Sequence, residues 1–477
     1  MNSPFALLSL IVAVPFFGML FVLSSKDAEG ALPGRNAFNV CVFTIISNII
    51  LIWRIFMILN EKSASLQLIE RFDWLNTPNI DIVLGVDVFS LLLILAVHLA
   101  VLIGLFGVSA NTFRQKSLMV FTLLFLSMIT GFLVAADIFS FYIFFEAMLL
   151  PLFMIIGMFG EVRKQGLINR FFLYNFIGAI ILFSATMLIF YHRGSTMLAD
   201  VGSISFPAPL RYYIWGAVCL SFVSRIPVWP FHYWISSINS GIRNPLAFII
   251  TALLPLTAIY GFIRFLPARL PLELGDYIMY GQIIAVVTML FIALIGFTNR
   301  DYQYKIFAYV TVYYILYLLG VFVNDELIMT SIGYSLFCFL IIMASLEVVS
   351  GYIYHKEQEA QCVSNGFLCR VKRLSFVYSF ITVAAVGLPV SAVFVNNFLI
   401  LSRLLGFNVK MGVLLVLSLA FVGVTLIQEL LRLKQDSKEC RLGKNDDISK
   451  PFFAFMLFVI FILLMSFVKP LWFVASA

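Results

Sequence analysis

ADIFSFYIFFEAMLLPLFMIIGMFG, residues 136–160, decides how the rest of the chain is read. It is long enough to cross a bilayer, because roughly 20 apolar residues at about 1.5 Å each span the hydrocarbon. One carboxylate, Glu146, sits in its middle, and Pro151 follows five positions later. A charge at membrane depth costs several kcal/mol, so such residues face a protein interior or a watery path. The remainder of the chain reads as a scaffold around that acid.

Working outward, 62% of the 477 residues are hydrophobic and only 12% are charged. Soluble domains carry about 25% charged residues, so the composition describes an all-α polytopic membrane protein. Fourteen transmembrane spans fit the hydropathy: 4–24, 37–59, 82–108, 115–134, 137–159, 167–191, 212–236, 245–266, 277–298, 303–323, 327–354, 374–402, 409–431 and 451–475. The first follows no basic segment and lacks a small-residue cleavage site, so it reads as a retained helix. Loops are short, and the two longest, 355–373 and 432–450, are charged.

Numbering each loop by the span it follows, twenty Lys and Arg flank odd loops and eight flank even ones. The bias puts odd loops in the cytoplasm or matrix and both termini on the far side. It also makes the net charge of +7 a matter of membrane topology rather than nucleic-acid binding. The six cysteines are scattered. Cys362 and Cys369 share a loop but lack metal-ligand spacing, and no second pair answers them. No P-loop, dinucleotide fingerprint or cysteine cluster is present, so redox chemistry is not expected in this chain.

Two spans are expected to be broken. SRIPVWPFHYW (224–234) puts two prolines and a charge inside span 7, and VGLPVSAVFVNNF (386–398) puts Gly387 and Pro389 inside span 12. Proline removes a donor and clashes with the preceding turn. A broken membrane helix is tolerated only where its freed backbone lines protein or water. Breaks five spans apart point to two inverted five-helix repeats, spans 4–8 and 9–13. The resulting division is 1–114, 115–266, 277–431 and 451–477.

The ionisable residues inside this frame have two readings each. Glu146 is a protonatable site or half of a static ion pair. Arg225 is its natural partner; guanidinium holds its proton too tightly to carry one, so it clamps a carboxylate or sets a field. His232 relays protons or satisfies backbone groups freed by the prolines. Asn397, beside Asn396, holds water or freed backbone but does not titrate. Glu347, late in span 11, is a snorkelling or capping acid, or a proton site. Asp137 reads as a helix N-terminal charge, Lys305 as an interface anchor, and His98 as a satisfied packing residue.

Several motifs carry a family resemblance. LGVDVFSL (84–91), the stretch 137–160 with Glu146, RFFLYNFIGA (170–179), PVWPFHYW (227–234), YGFIRFLP (260–267) and AVGLPVSAVFVNNFLIL (385–401) resemble segments of the antiporter-like membrane-arm subunits of respiratory complex I. The match is to the chain M or chain 4 family of NADH:quinone oxidoreductase, which is related to multisubunit cation/proton antiporter subunits. It implies two inverted repeats with broken helices, a place in a bacterial plasma membrane or mitochondrial inner membrane, and proton translocation linked to quinone reduction. Glu146 stands at the family's glutamate. Partners would be other membrane-arm subunits in the bilayer, and quinone, flavin and iron–sulfur clusters would sit on those partners.

The departures fall on titrating positions. Arg225 and Leu256 stand where the family has lysines, and Asn397 where it has a glutamate. Val310, Thr311 and Tyr314 replace its serine pair and histidine in span 10, and Ser236, Ser237, Ile238 and Asn239 replace a P-D-A-H run. Three other readings therefore stand beside the proton-pump subunit: a diverged structural or assembly paralogue, a sodium/proton antiporter subunit, and, weakest, a small-molecule carrier.

Overall fold

In the computed structural model the described residues are 6–26, 34–60, 65–75, 80–108, 114–159, 165–193, 196–198, 206–232, 245–265, 275–323, 325–360, 367–435 and 447–476. Residues 236–239, Cys362 and Cys440 lie outside them. All fourteen expected spans correspond to helical segments. Among the described residues eleven helical stretches, with Ile138–Phe159 taken as one, are long and apolar enough to cross a membrane, and Ile249–Phe265 and Ala392–Phe407 are shorter apolar ones. The chain divides into two compact units. The first comprises Met1–Leu102, Ser109–Ile242 and Leu254–Asp276; the second comprises Ile103–Val108, Arg243–Leu253 and Tyr277–Ala477.

In the first unit, α1 (Leu7–Ser24) and α2 (Arg35–Ile58) lead into a feature the hydropathy hid. Residues 67–81, read as loop, and 82–86, read as the start of span 3, form an antiparallel hairpin, β1 (Gln67–Leu75) and β2 (Ile80–Val86). Its β-branched and aromatic residues suit a pleated, half-buried surface, but they are too short a run to register against the helical spans. Glu70 on β1 accepts from the Leu8 and Ser9 amides at 2.8 and 2.9 Å, capping the otherwise unpaired N-terminus of α1. α3 (Val88–Phe106), α4 (Gln115–Val134), α5 (Ile138–Ala147), α6 (Leu149–Phe159), α7 (Gln165–Arg193) and α8 (Ala208–Arg225) follow, with α9 (Leu254–Phe265) closing the unit.

The second unit holds α10 (Gly275–Thr298), α11 (Tyr302–Val323), α12 (Glu326–Ala360), the short α13 (Phe367–Arg370), α14 (Lys372–Ala385), α15 (Ala392–Phe407), α16 (Val409–Lys434) and α17 (Lys450–Ser476). Span 12 is broken as expected, between α14 and α15, and span 7 loses its α-helix after Arg225. Two further interruptions were not anticipated. Span 5 breaks at Met148, between α5 and α6, and span 8 opens with a π-helical turn, Ile249–Leu253, just before Pro255. Both follow from proline, whose missing donor spoils the ladder one turn earlier.

The alternation of loops survives a geometric test. In the first unit Lys116 donates to the Ser25 carbonyl, joining loops 3 and 1. Arg264 pairs with Asp87 at 2.7 Å, joining the ends facing loops 8 and 2, and Ala136 bonds Val83 and Leu198 across loops 4, 2 and 6. In the second unit Arg403 pairs with Asp325 at 2.6 Å (loops 12 and 10), and Arg373 meets Asp447 (loops 11 and 13). Each contact joins loops of one parity. One span too many or too few between two such partners would have set an odd loop against an even one.

Two of the family-like motifs are explained by a single polar chain. Asp87 caps the start of α3 and accepts from the Ser90 amide at 2.8 Å. Arg264 reaches Asp87 and also donates to the Tyr260 hydroxyl at 2.9 Å, and Tyr260 donates to the Leu133 carbonyl at the end of α4. Tyr260 and Arg264 share a helix face because they are four residues apart. Burial alone would push the Asp87 carboxyl up, but Arg264 and the Ser90 bonds outweigh it and hold Asp87 below the usual carboxylate range. A depressed acid contributes stability above its unfolded value, near about 4, and that contribution is lost as pH falls through the folded value. Asp87→Asn should therefore lower the thermal unfolding temperature at neutral pH, and the gap to the unmodified chain should close as pH drops below about 4.

Candidate functional site

Glu146 lies one residue from the end of α5, where the ladder is already failing: Met148 bonds back to Phe144 at 3.3 Å before α6 begins. Its neighbour Phe145 is fully buried against Phe222, with ring centroids 5.7 Å apart, and beside Phe132 and Phe141. This aromatic cluster fixes the rotation of α5. Glu146 is thereby left half-buried, with Oε2 enclosed in protein and without a hydrogen-bond partner. The acid faces the protein rather than lipid alone.

Arg225 is placed beside it by the last turn of α8. Its side chain is 0% exposed. The guanidinium is bonded to the residue next to Glu146, and its hydrogen bonds go to groups other than the Glu146 carboxyl. Nη2 donates to the Phe145 carbonyl at 2.8 Å, Nη1 to Thr257 Oγ1 at 3.3 Å, and the group lies 3.1 Å from the centre of the Phe145 ring. Of the two readings of Arg225, the clamp on the carboxylate is not formed; what it clamps is the backbone of the helix that carries Glu146. Arginine suits that task because its planar fork can bond and stack at once.

His232 is half-buried beyond the break in span 7, within the turn that ends the described segment. That break is closed locally: Ile226 bonds the Val223 carbonyl at 3.1 Å, which Pro227 cannot reach. Leu256, at a lysine position of the resembled family, is fully buried one turn before Tyr260. It can hold no proton.

Asn397 and Glu347 belong to the second unit. Pro389 cannot donate to the Ala385 carbonyl, and Tyr313 does so instead at 2.9 Å. Asn397 in turn donates to the Tyr313 hydroxyl at 3.3 Å. Gly387 sits between them with φ +80; a side chain there would meet Asn397 at 2.8 Å and Tyr313 at 3.1 Å. Asn397 thus serves the break itself. Its neighbour Asn396 accepts from Ser331 at 2.8 Å.

Glu347 is 2% exposed, which overturns its reading as a snorkelling acid at the interface. Lys305 is corrected too. Rather than anchoring at the surface it is 8% exposed and ion-paired with Glu429 of α16, a residue that sequence reasoning passed over. The available signal was a shared side of the membrane: both lie at the odd-loop ends of their spans. Asp137 and His98 behave as read. Asp137 caps α5, accepting from the Phe139 and Ser140 amides. It also accepts from Val83 at 2.8 Å. His98 is held between the Ile94 carbonyl and Asn48, each at 2.8 Å.

The site is thus a set of interrupted membrane helices with one half-buried acid, Glu146, at a break and a second, Glu347, enclosed within an unbroken helix. Residues 135–423 match the family described as NADH:quinone oxidoreductase/Mrp antiporter, transmembrane. The chain belongs to that family. Among its relatives is NADH-quinone oxidoreductase subunit M of Rickettsia bellii, 24% identical over 411 residues, covering 84% of this chain and 83% of the relative. The Rhodobacter capsulatus subunit M is 25% identical over 410 residues, covering 83% and 80%. NADH-ubiquinone oxidoreductase chain 4 of Arabidopsis thaliana is 26% identical over 405 residues, covering 83% and 79%.

The fold is that of a chain in respiratory complex I from Thermus thermophilus with bound NADH, with TM-score 0.86 and 19% identity over 97% of this chain and 96% of that one. A chain of the Mrp complex from Dietzia also matches, at TM-score 0.78 and 15% identity, over 96% of this chain and 50% of that one.

Arg225→Lys keeps the charge but cannot reach the carbonyl while lying over the ring. It should cost about 1–2 kcal/mol, read as a lower unfolding temperature of the purified chain in detergent.

Proposed function

We propose that this chain is a membrane-arm subunit of an NADH:quinone oxidoreductase-type complex and that it carries protons at Glu146. The observation that carries the reading is the enclosed, unpartnered oxygen of Glu146 at a helix break. A carboxyl so placed binds and releases a proton with little change elsewhere, whereas a fully bonded one would be a staple. Arg225 acts as a fixed positive charge, because it cannot deprotonate on a useful time scale. His232, beyond the break in span 7, is the candidate relay from the Glu146 region.

In this reading residues 115–266 and 277–431 form the two inverted repeats, flanked by 1–114 and 451–477. Odd loops face the cytoplasm or matrix. Quinone, flavin and iron–sulfur clusters sit on partner subunits, and this chain contributes ion movement alone.

A second reading has a specific observation behind it. Arg225 is bound to backbone and ring, Leu256 is aliphatic, and Asn397 is engaged at a break, so three positions that titrate in the resembled family are structural here. That pattern suits a paralogue that keeps the fold without translocating. Inverted membrane vesicles separate the two. Glu146→Gln should abolish NADH-driven proton uptake while the complex still assembles, and Arg225→Lys should leave uptake intact. Unchanged uptake in an assembled Glu146→Gln complex would establish the structural paralogue. Sodium sensitivity at high pH on loss of the gene, with quinone reduction unaffected, would instead place the chain in a sodium/proton antiporter.

A further inference from the structure

Midway along α12 the second unit encloses an apolar ring in a cage of phenols. Phe339 is fully buried, and four tyrosines of α11, themselves buried, surround it. The ring centroids of Tyr309, Tyr313, Tyr314 and Tyr317 stand 5.6, 5.7, 5.2 and 5.7 Å from its own. Helical spacing makes the cage: positions 309, 313 and 317 stack on one face at four-residue intervals, with 314 beside them.

The hydroxyls of the cage bond outward rather than to one another. Tyr313 donates to the Ala385 carbonyl at 2.9 Å, Tyr314 to the Ala252 carbonyl, and Tyr317 meets the Ser335 hydroxyl at 2.9 Å. Tyr309 keeps a buried hydroxyl with no partner. The first two anchors lie at the interruptions of spans 12 and 8, so the rings are pinned at the breaks.

Polar groups are enclosed on either side of this cage. Ser331, eight residues before Phe339 on α12, donates to Asn396 at 2.8 Å. Asn396 Nδ2, Asn397 Oδ1 and Ser391 Oγ, at the break in span 12, are buried without partners. Glu347, eight residues after Phe339, has its unpartnered Oε1, and at the same odd-loop end Glu429 is flanked by Lys305 and Arg432. About 12 Å of helix separates Phe339 from Ser331 and from Glu347. Past Glu347 the helix nears the surface, with Gly351 and Tyr352 partly exposed. A proton or water passing from one group to the other needs polar partners at each step, and a phenyl ring supplies none.

We propose that Phe339 and its four tyrosines form a dry barrier across the second unit, leaving Glu347 a proton site open only toward the odd loops and cut off from the break in span 12. The barrier depends on the ring at 339 being apolar. Emptying that position would leave a space beside four phenols, one with an unpartnered hydroxyl, and a polar, roomy site of that kind holds water. The competing account is a phenylalanine that does no more than fill the core.

Inverted membrane vesicles carrying the assembled complex test this without NADH, by the rate at which an acid pulse outside reaches a pH-sensitive dye inside. Phe339→Ala should pass protons about tenfold faster than the unmodified chain, the rate equivalent of one hydrogen bond restored along the path. Phe339→Leu should stay tight, as should Phe125→Ala, which empties an equally buried position in the first unit. Adding Glu347→Gln to Phe339→Ala should return the rate to that of the unmodified chain. The proposal is overturned if Phe339→Ala is as tight as the unmodified chain, if Phe339→Leu or Phe125→Ala leaks as fast, or if the double variant still leaks. Should Phe339→Ala fail to assemble, Phe339→Gln decides in its place, since it fills more of the space, brings its own polar group and should leak likewise. Because no NADH is supplied, the result stands apart from the outcome at Glu146.

Discussion

A backbone carbonyl freed inside the hydrocarbon layer must find a donor, and most of the polar architecture here answers that requirement. Each such group left bare costs several kcal/mol. Pro15 cannot bond the Ile11 carbonyl, and Asn48 of α2 donates to it at 2.9 Å. Pro389 cannot bond Ala385, and Tyr313 does. At the junction in span 5 the Phe145 carbonyl takes Arg225, and in the π-helical turn the Ala252 carbonyl takes the Tyr314 hydroxyl. Three of these four donors, Tyr313, Arg225 and Tyr314, are long side chains that reach across from another helix.

That requirement sorts the buried polar groups by what they are free to do. Arg225, Tyr260, Tyr313, Tyr314 and Asn397 are tied to backbone, directly or through one hydroxyl, and moving any of them would expose a carbonyl. Glu146 and Glu347 each keep an enclosed oxygen with no partner. A change of protonation at these two costs no helix its ladder. The scaffold can therefore stay rigid while the acids change state, which is the condition a proton carrier needs and a structural ion pair does not meet.

The sequence was informative wherever a local rule acts and silent where packing decides. Fourteen spans and their parity follow from apolar length and from Lys and Arg placement, and the breaks at Pro227 and Pro389 follow from proline chemistry. For Pro15 and Pro389 proline even names the carbonyl that is freed, four residues earlier, at Ile11 and Ala385. What it cannot name is the donor. Nothing local links Asn48 to Ile11, Tyr313 to Ala385, or Lys305 to Glu429 across 124 positions. Pro151 and Pro255 were visible, but their effects on spans 5 and 8 were underweighted beside the more crowded PVWP and GLPV motifs. The hairpin at 67–86 escapes a hydropathy reading, which puts its first strand in a loop and runs most of its second into the apolar span that follows.

The substitutions at the resembled family's titrating positions become coherent in these terms. A lysine can release a proton when desolvated, whereas an arginine cannot, so replacing lysine by Arg225 converts a switch into a fixture. Leu256 removes a second switch outright. On the proposed reading the burden of exchange in the first unit then falls on Glu146, beside an arginine that keeps its proton. In the second, Lys305 is paired with the Glu429 carboxylate, which Arg432 also flanks at 3.6 Å. Glu347, by contrast, keeps an enclosed oxygen without a partner, so each unit leaves one acid outside the bonds that hold its helices together.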